Sequence, residues 1–223
     1  MKIKQQFISR DRKKQRSGIK MTPKYITIHS TGNERSTAQN EADFVCYNSN
    51  RQASYHFVVD DHNIIQVLPT NEVSWNAGDG HGNGNYKSIA IEICESGDRK
   101  KAVDNALELT RYLMDINDIG VKNVRRHYDW SGKNCPRILI DKSFIKDGID
   151  WKYFIRNLEV DDVTEERVRE IINEVLHSND QVSESLRDEW NDGVTRKITD
   201  GTRPRGYATR EQVVAMIVRA LKE

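Results

Sequence analysis

Hydrophobic and polar positions along the first part of the chain form runs that predict a mixed α/β domain. β-branched and aromatic runs indicate four strands, at 23–29, 54–60, 64–68 and 88–94. Turn residues at 60–63 join the middle two strands as a hairpin. Apolar residues recur at helical spacing over 38–48 and 101–117. This order of strand, helix, hairpin, strand and helix predicts a mixed central β-sheet flanked by helices.

The other segments of this part lack a regular period. Residues 1–20 are basic and predict an extended, solvated arm with one short strand at 6–8. Residues 76–86 predict a flexible Gly/Asn loop, residues 121–140 a loop, and residues 150–157 a short apolar closure of the domain. No apolar run approaches the length of a membrane-spanning helix, so no membrane insertion is expected.

The composition changes after residue 157. Residues 158–223, the tail, carry 10 basic and 15 acidic side chains. Residues 1–157 carry 25 basic and 19 acidic side chains. The formal net charge of +1 is therefore the sum of a basic first part and an acidic tail. Amphipathic patterns in the tail predict three short helices, over 164–177, over 180–192 and after Thr209. We therefore predict two modules, a mixed α/β domain over 1–157 and a small all-α module over 158–223.

One group of residues has the chemistry of a zinc site. The chain has three widely spaced cysteines, which argue against a disulfide framework and for a reducing compartment. His29 ends a strand at a polar turn, and His127 and Cys135 lie eight residues apart in one irregular segment. These three residues would leave a fourth position open for water. The structural alternative is a strand-end histidine bonded to backbone and a small buried cysteine.

Three further side chains lie in positions that suit catalysis. Glu92 interrupts an apolar strand, where a carboxylate is costly unless it is paired or near a cation, so it is a candidate general base. The alternative is an edge strand with a solvated face. Lys133 lies two residues before Cys135, where its ammonium would stabilise an oxyanion near a metal; the alternative is an ordinary solvated lysine. Tyr55, in the second strand, carries a hydroxyl that would bond the reacting water or the intermediate; the alternative is a tyrosine at the edge of the core.

The basic amino terminus suggests two other functions, a nucleic-acid-binding patch and a secretory signal. The run from Arg10 to Arg16 has no interleaved aromatic residues, so a solvated surface is favoured over a nucleic-acid patch. The same region lacks the 7–15-residue apolar core of a secretory signal. We therefore expect synthesis in the cytoplasm without a signal peptide, and no nucleic-acid partner.

Five motifs occur in order between about residues 20 and 145: YITIHST (25–31), ASYHFVVDD (53–61), WNAGDG (75–80), SIAIEICE (88–95) and HYDWSGKNCP (127–136). Together they resemble the zinc-dependent N-acetylmuramoyl-L-alanine amidases of the type-2 amidase and peptidoglycan-recognition-protein family. The resemblance is nearest to endolysins of phages and prophages of Gram-positive bacteria. It implies one Zn²⁺ ion with the ligands His29, His127 and Cys135, and the catalytic residues Tyr55, Glu92 and Lys133.

The resemblance also implies a substrate and a reaction. Zinc-activated water would cleave the amide bond between N-acetylmuramic acid and L-alanine in bacterial peptidoglycan. We expect Trp75 to serve as a stacking platform and to bind substrate together with His56 and Asn76. The alternative is a non-catalytic peptidoglycan receptor on the same fold, a class whose members typically lack the cysteine ligand.

The tail resembles part of an S-layer-homology-like or endolysin cell-wall-binding module. The residues concerned lie at 190–193, 199–204 and 208–216. We therefore expect residues 158–223 to bind a wall polymer. The whole protein would accumulate in the cytoplasm of the bacterial host and act on the cell wall after release.

Overall fold

The computed structural model describes residues 2–159 and 187–197. In the described part, six strands form one sheet in the order β1-β4-β3-β5-β2-β6. Their bounds are β1 Ile3–Gln5, β2 Tyr25–Ser30, β3 Phe57–Val59, β4 Ile64–Gln66, β5 Ser88–Ile93 and β6 Val124–Arg126. The β3–β4 pair is antiparallel and the other pairs are parallel. The predicted mixed sheet, its hairpin and its central strand β5 are confirmed.

Helices accompany the sheet at the predicted places and at several further ones. Their bounds are α1 Ala38–Asp43, α2 Asn83–Tyr86, α3 Arg99–Asn117, α4 Tyr128–Ser131, α5 Arg137–Ile140, α6 Trp151–Glu159 and α7 Arg187–Thr195. Thr37 caps α1 in a reciprocal capping box with Asn40, and a π-helical turn, Phe44–Asn48, extends α1 to its predicted end. Asp98 caps α3 by accepting from the backbone N–H of Lys101.

Both faces of the sheet are covered, which explains the apolar strands. Ile26 and Ile28 of β2 lie in one buried cluster, together with the apolar side of α3. Val58 of β3 lies in a second cluster, together with residues of α1. Because side chains alternate along a strand, His29 lies on the face opposite Ile28. That alternation places His29 on the α1 side of the sheet, at the end of β2.

Residues 2–20 are not the solvated arm that the basic composition predicts. Their strand is β1, which pairs with β4, and it lies earlier than the predicted 6–8. Ile8 is fully buried, and Gln15 and Arg16 are buried as well. Gln15 Nε2 donates to the carbonyl oxygen of Ser49 at 3.0 Å. The prediction is wrong because the partners of this segment lie tens of residues away, where no local pattern reveals them.

Residues 121–140 contain more regular structure than the predicted loop. The 3₁₀ turn Val121–Asn123 leads into β6, and the short helices α4 and α5 follow. β6 has three residues and pairs with β2 at the edge of the sheet. A strand this short gives no readable alternation in the sequence, so the loop prediction is only partly right.

Helical structure continues two residues past position 157, where the first module is predicted to end. Helix α6 replaces the predicted apolar closure and continues to Glu159, and Leu158 is buried in the core. In the tail, α7 overlaps the end of the helix predicted over 180–192 and extends three residues further. The helices predicted over 164–177 and after Thr209 lie outside the described residues. Among the described residues, no helix combines the length and the apolar character needed to cross a membrane.

Candidate metal centre and active site

The candidate site residues lie together at the carboxyl-terminal ends of three parallel strands. His29 of β2 lies opposite Glu92 of β5 in the strand register. His127 follows β6 directly, and its backbone N–H donates to the carbonyl oxygen of Ile28 at 3.2 Å. The backbone N–H of Ser30 donates to Cys135 Sγ at 3.4 Å. Because the carboxyl ends of β2, β5 and β6 meet here, residues far apart in the sequence become neighbours.

The three predicted zinc ligands converge in space. One ligand atom each of His29, His127 and Cys135 lies within 4.8 Å of the others, and all three residues are buried. His29 Nδ1 lies 3.8 Å from Cys135 Sγ. Two ligands of a tetrahedral zinc ion are about 3.6 Å apart, given usual Zn–N and Zn–S distances. The spacing therefore fits a zinc ion between them.

An unpartnered nitrogen supports the same fit. Nδ1 of His127 is buried, and no hydrogen-bond partner for it exists among the described residues. Buried polar atoms are normally paired, so such an atom needs a ligand to satisfy it. The two imidazole rings, of His29 and His127, meet edge-on with centroids 4.7 Å apart. The donor set of two imidazoles and one thiolate is one that zinc prefers.

The electrostatics keep both imidazoles neutral. Burial, with smaller contributions from His127 and Lys133, holds the pKa of His29 well below its usual value. Burial and Lys133 lower the pKa of His127 to about 4. Burial raises the pKa of the Cys135 thiol to about 12, with Glu92 acting in the same direction. Neutral imidazole is the metal-binding form, and a bound cation would stabilise the thiolate.

Glu92 lies beside this ligand set. Its Oε1 is 3.9 Å from His29 Nδ1, and its Oε2 is buried with no hydrogen-bond partner in the described part of the chain. Burial raises the pKa of Glu92 to about 8; Glu41 acts in the same direction and Lys133 opposes it. The strand is central, so the alternative of a solvated edge position is wrong. Glu92, whose side chain is 18% exposed, thus carries a largely buried carboxyl group that can hold or release a proton next to the ligands.

Lys133 and Tyr55 flank the site in different ways. Lys133 is exposed, and its positive charge contributes, after burial, to lowering the pKa of both imidazoles. Tyr55 donates its hydroxyl to the carbonyl oxygen of Glu41 at 2.8 Å. Burial, followed by Glu41 and Glu92, raises the pKa of Tyr55 well above its usual value. The tyrosine proton is therefore engaged by α1 and not directed at the ligands.

The three predicted substrate-binding residues have three different environments. Trp75 is half-buried and packs edge-on against Tyr86 with centroids 6.0 Å apart, which leaves part of its ring accessible. His56 is fully buried and both of its ring nitrogens have protein partners, so the prediction that it contacts substrate is not supported. Asn76 directs its Oδ1 at His29 Nε2, at 3.1 Å, and not at solvent.

Hydrogen bonds fix the Gly/Asn loop that the composition predicts to be flexible. Asp79 accepts from the backbone N–H groups of Gly84 and Asn85, at 2.7 and 3.2 Å. Asn85 Oδ1 in turn accepts from the backbone N–H groups of Asn76 and Ala77, at 2.8 and 2.9 Å. Sequence reasoning missed Asp79 and Asn85. The signal was the density of Asp and Asn, because these side chains cap turns by accepting backbone hydrogen bonds.

Comparison with known proteins finds sequence relatives of the domain that carries these residues. The family model for N-acetylmuramoyl-L-alanine amidase matches residues 19–138. N-acetylmuramoyl-L-alanine amidase CwlH of Bacillus subtilis (strain 168) is 45% identical over 152 residues, which cover 66% of this chain and 57% of CwlH. N-acetylmuramoyl-L-alanine amidase XlyA of the same organism is 49% identical over 129 residues, covering 56% of this chain and 43% of XlyA. The matched region thus spans about half the length of these relatives.

Solved structures of two proteins with similar sequences have the same fold as this chain. The catalytic domain of XlyA superposes with a TM-score of 0.64 at 42% identity, covering 71% of this chain and 99% of that domain. PlyL superposes with a TM-score of 0.63 at 36% identity, covering 71% of this chain and 97% of PlyL. The domain that carries the candidate metal centre therefore has a nearly complete counterpart in each of these structures.

Proposed function

The chain belongs to the N-acetylmuramoyl-L-alanine amidase family, and from this premise we propose that it is a zinc-dependent peptidoglycan hydrolase. Its reaction is cleavage of the amide bond between N-acetylmuramic acid and the L-alanine of the stem peptide. The observation that carries the proposal is the convergence of His29, His127 and Cys135 beside the carboxyl group of Glu92. A receptor that only binds peptidoglycan has no need of this combination.

His29, His127 and Cys135 would hold the zinc ion. Zinc in such a site polarises a carbonyl group and lowers the pKa of a bound water toward about 7. The three protein ligands leave a fourth position free, as a catalytic zinc site requires. The unpartnered Nδ1 of His127 and the short distance between His29 Nδ1 and Cys135 Sγ support this assignment.

Glu92 and Lys133 supply the remaining chemistry. Glu92 takes a proton from the attacking water and returns it to the leaving nitrogen of L-alanine, since its carboxyl group lies beside the ligands. Lys133 places its ammonium near the carbonyl oxygen, where negative charge develops. We assign proton transfer to Glu92 and not to Tyr55, because the tyrosine hydroxyl is donated to the backbone of α1. Tyr55 then shapes the pocket wall next to Glu92.

The substrate and the place of action follow from the same reaction. Peptidoglycan is the partner, the accessible part of Trp75 is the candidate stacking surface, and the cell wall is where the protein acts.

We further propose that the residues after Glu159 form a separate wall-binding module. In a binding assay on purified walls, residues 1–160 should bind less than the full chain. Equal binding by the two would end the proposal of a targeting module.

The decisive experiment is digestion of purified peptidoglycan, with mass spectrometry to identify new L-alanine amino termini and metal analysis of the same samples. The unaltered chain should contain one zinc ion and release these termini. Glu92→Gln should keep zinc and lose activity by about 10²–10⁴-fold. Cys135→Ser should lose zinc and activity together.

A second cysteine provides the matched control. Cys46 is also buried, and its Sγ donates to the carbonyl oxygen of Gln6, far along the sheet from the ligands. Cys46→Ser should keep both zinc and activity. If the unaltered chain binds zinc and peptidoglycan but releases no L-alanine termini, the receptor reading holds and the hydrolase proposal is refuted.

A further inference from the structure

A chain of hydrogen bonds leads through the buried domain to His29. The backbone N–H of Ala90 donates to His56 Nδ1 at 2.9 Å, so this nitrogen is unprotonated and Nε2 carries the ring proton. Nε2 donates that proton to the carbonyl oxygen of Glu72 at 2.8 Å. Ser74 Oγ lies 3.3 Å from the same Nδ1, whose single lone pair already accepts from Ala90, so a bond from the Ser74 hydroxyl would be the longer of two that share this acceptor. Ser74 Oγ then remains an acceptor for the amide of Asn76, at 2.8 Å.

The direction of these bonds fixes the orientation of the Asn76 amide. Besides Ser74 Oγ, the Nδ2 group faces two carbonyl oxygens, those of Ser74 at 3.3 Å and Gly84 at 3.2 Å. All three partners accept, so the amide nitrogen belongs on their side and the oxygen on the side of His29. Since Asn76 Oδ1 can only accept, His29 Nε2 must carry a proton to meet it at 3.1 Å. The lone pair of His29 is then on Nδ1, the nitrogen nearest Cys135 Sγ.

We propose that Asn76 is a positioning residue that holds His29 with its Nε2 protonated and its Nδ1 directed at the metal. The inference rests on the proposed zinc site and adds to it the reason why His29 binds through that nitrogen. A hydrogen bond on the outer nitrogen fixes both the tautomer and the rotation of a ligand ring and raises its basicity. Without Asn76 the ring can rotate, and its proton can move to Nδ1, where Glu92 Oε1 lies 3.9 Å away.

The geometry also explains why this position needs an amide. An apolar side chain of the same size would leave His29 Nε2 without an acceptor in a site where His29 is 1% exposed. A carboxylate would accept from Nε2 but would face two carbonyl oxygens that now receive a proton from Nδ2. The amide satisfies both sides, and the hydroxyl of Ser74 links its orientation to His56.

The test compares Asn76→Leu and Asn76→Asp in the full chain. Proton–nitrogen NMR of the metal-free protein should show a protected Nε2–H resonance of His29, assigned by its loss in His29→Gln. Asn76→Leu should lose this resonance and bind zinc about 10–100-fold more weakly in competition with a chromophoric chelator. Asn76→Asp keeps an oxygen acceptor for His29 and should retain the resonance and bind zinc within a few-fold of the unaltered chain, whereas its second oxygen, facing the carbonyl oxygens of Ser74 and Gly84, should lower Tm.

Asn85→Asp serves as the control for damage to the loop. It keeps the oxygen that accepts from the backbone of Asn76 and Ala77, and it perturbs the loop by replacing the donor to the carbonyl oxygen of Gly80 with a buried oxygen near Asp79. It should keep both the His29 resonance and the zinc affinity. An equal loss of affinity in Asn85→Asp and Asn76→Leu would overturn the proposal, as would an unchanged resonance in Asn76→Leu. Because the resonance is measured without metal, it tests Asn76 even if the chain proves to bind no zinc.

Discussion

A buried ion pair connects the amino-terminal segment to the turn before Trp75, and its loss should weaken the domain. Arg16 Nε and Nη2 donate to the two carboxylate oxygens of Glu72 at 2.8 and 3.0 Å, and Arg16 Nη1 donates to the carbonyl oxygen of Ile8 at 2.7 Å. The exposed fractions of the two side chains are 9% and 5%. Arg16→Met removes the cation but keeps most of the buried volume.

The expected cost follows from what is left behind. Arg16→Met leaves the Glu72 carboxylate buried, with Lys20 Nζ at 3.5 Å as its remaining cationic partner. Removing one partner of a buried pair costs about 3–5 kcal/mol, and the partial compensation by Lys20 favours the lower value. At about 2–4 °C per kcal/mol for a domain of this size, Tm should fall by 6–12 °C for a loss of 3 kcal/mol.

The double variant separates the pair from its surroundings. Replacing both residues, as Arg16→Met with Glu72→Leu, removes the lone charge and leaves only the carbonyl oxygen of Ile8 without its donor, a cost of about 1–2 kcal/mol. Urea unfolding of the four proteins gives the coupling energy, which should be at least about 2 kcal/mol. The reasoning would be refuted if the free energy of unfolding of each single variant lay within about 1 kcal/mol of that of the unaltered chain. It would also be refuted if the loss in the double variant equalled the sum of the two single losses.

The same pair predicts a dependence of stability on pH. The hydrogen bonds from Arg16 hold the pKa of Glu72 below its usual value. A carboxyl group whose pKa is lower in the folded state stabilises it fully above the unfolded pKa, about 4.3, and loses that contribution as the pH falls through the folded pKa. The stability difference between the unaltered chain and Glu72→Gln should therefore be constant from pH 7 to 5 and shrink below about pH 4. A difference that grows on acidification would contradict the assignment.

Two other substitutions test local structure near the site. Thr37→Ala removes the cap of α1 and should cost about 1 kcal/mol in urea unfolding, whereas Thr37→Ser should cost little; equal losses would exclude capping as the cause. Gly84→Ala places a methyl group 2.8 Å from Trp130 Cγ, so it should lower both Tm and zinc affinity. Gly120→Ala meets no heavy atom within 4 Å and should be tolerated, and a Gly84→Ala protein with unchanged Tm and zinc affinity would show that the loop yields freely.

The elements that the sequence predicts well are those whose signal is local. The strand β5 is a long apolar run, and α3 has a clear helical period, so both follow from residues a few positions apart. By contrast, β6 has three residues and exists because β2 offers it an open edge. The burial of Arg16 likewise depends on Glu72, 56 positions away. Short strands and distant ion pairs are tertiary effects, and single-sequence patterns do not contain them.

The candidate site also contains residues that local patterns suggest and residues whose roles depend on tertiary contacts. His29, His127 and Cys135 are suggested by residue type and by their places at breaks in the pattern, and the resemblance to a family fixes them as one set. The roles of His56 and Asn76 are different, since a sequence shows which groups can form hydrogen bonds but not which way they point. Here the backbone N–H of Ala90 determines the tautomer of His56, because it donates to Nδ1 and leaves the proton on Nε2.

That backbone donor has consequences across the site. Ser74 Oγ lies 3.3 Å from Nδ1 of His56 and accepts from the amide of Asn76, and the carbonyl oxygens of Ser74 and Gly84 keep that amide turned so that its oxygen faces His29. Each step is an ordinary hydrogen bond, but together they transmit one orientation from the centre of the sheet to its edge. Two of the three residues that the sequence predicts to contact substrate, His56 and Asn76, therefore bond inward to the protein. The proposed metal centre would depend on Asn76, because a histidine ligand binds through one ring nitrogen and is oriented by the hydrogen bond that its other nitrogen makes.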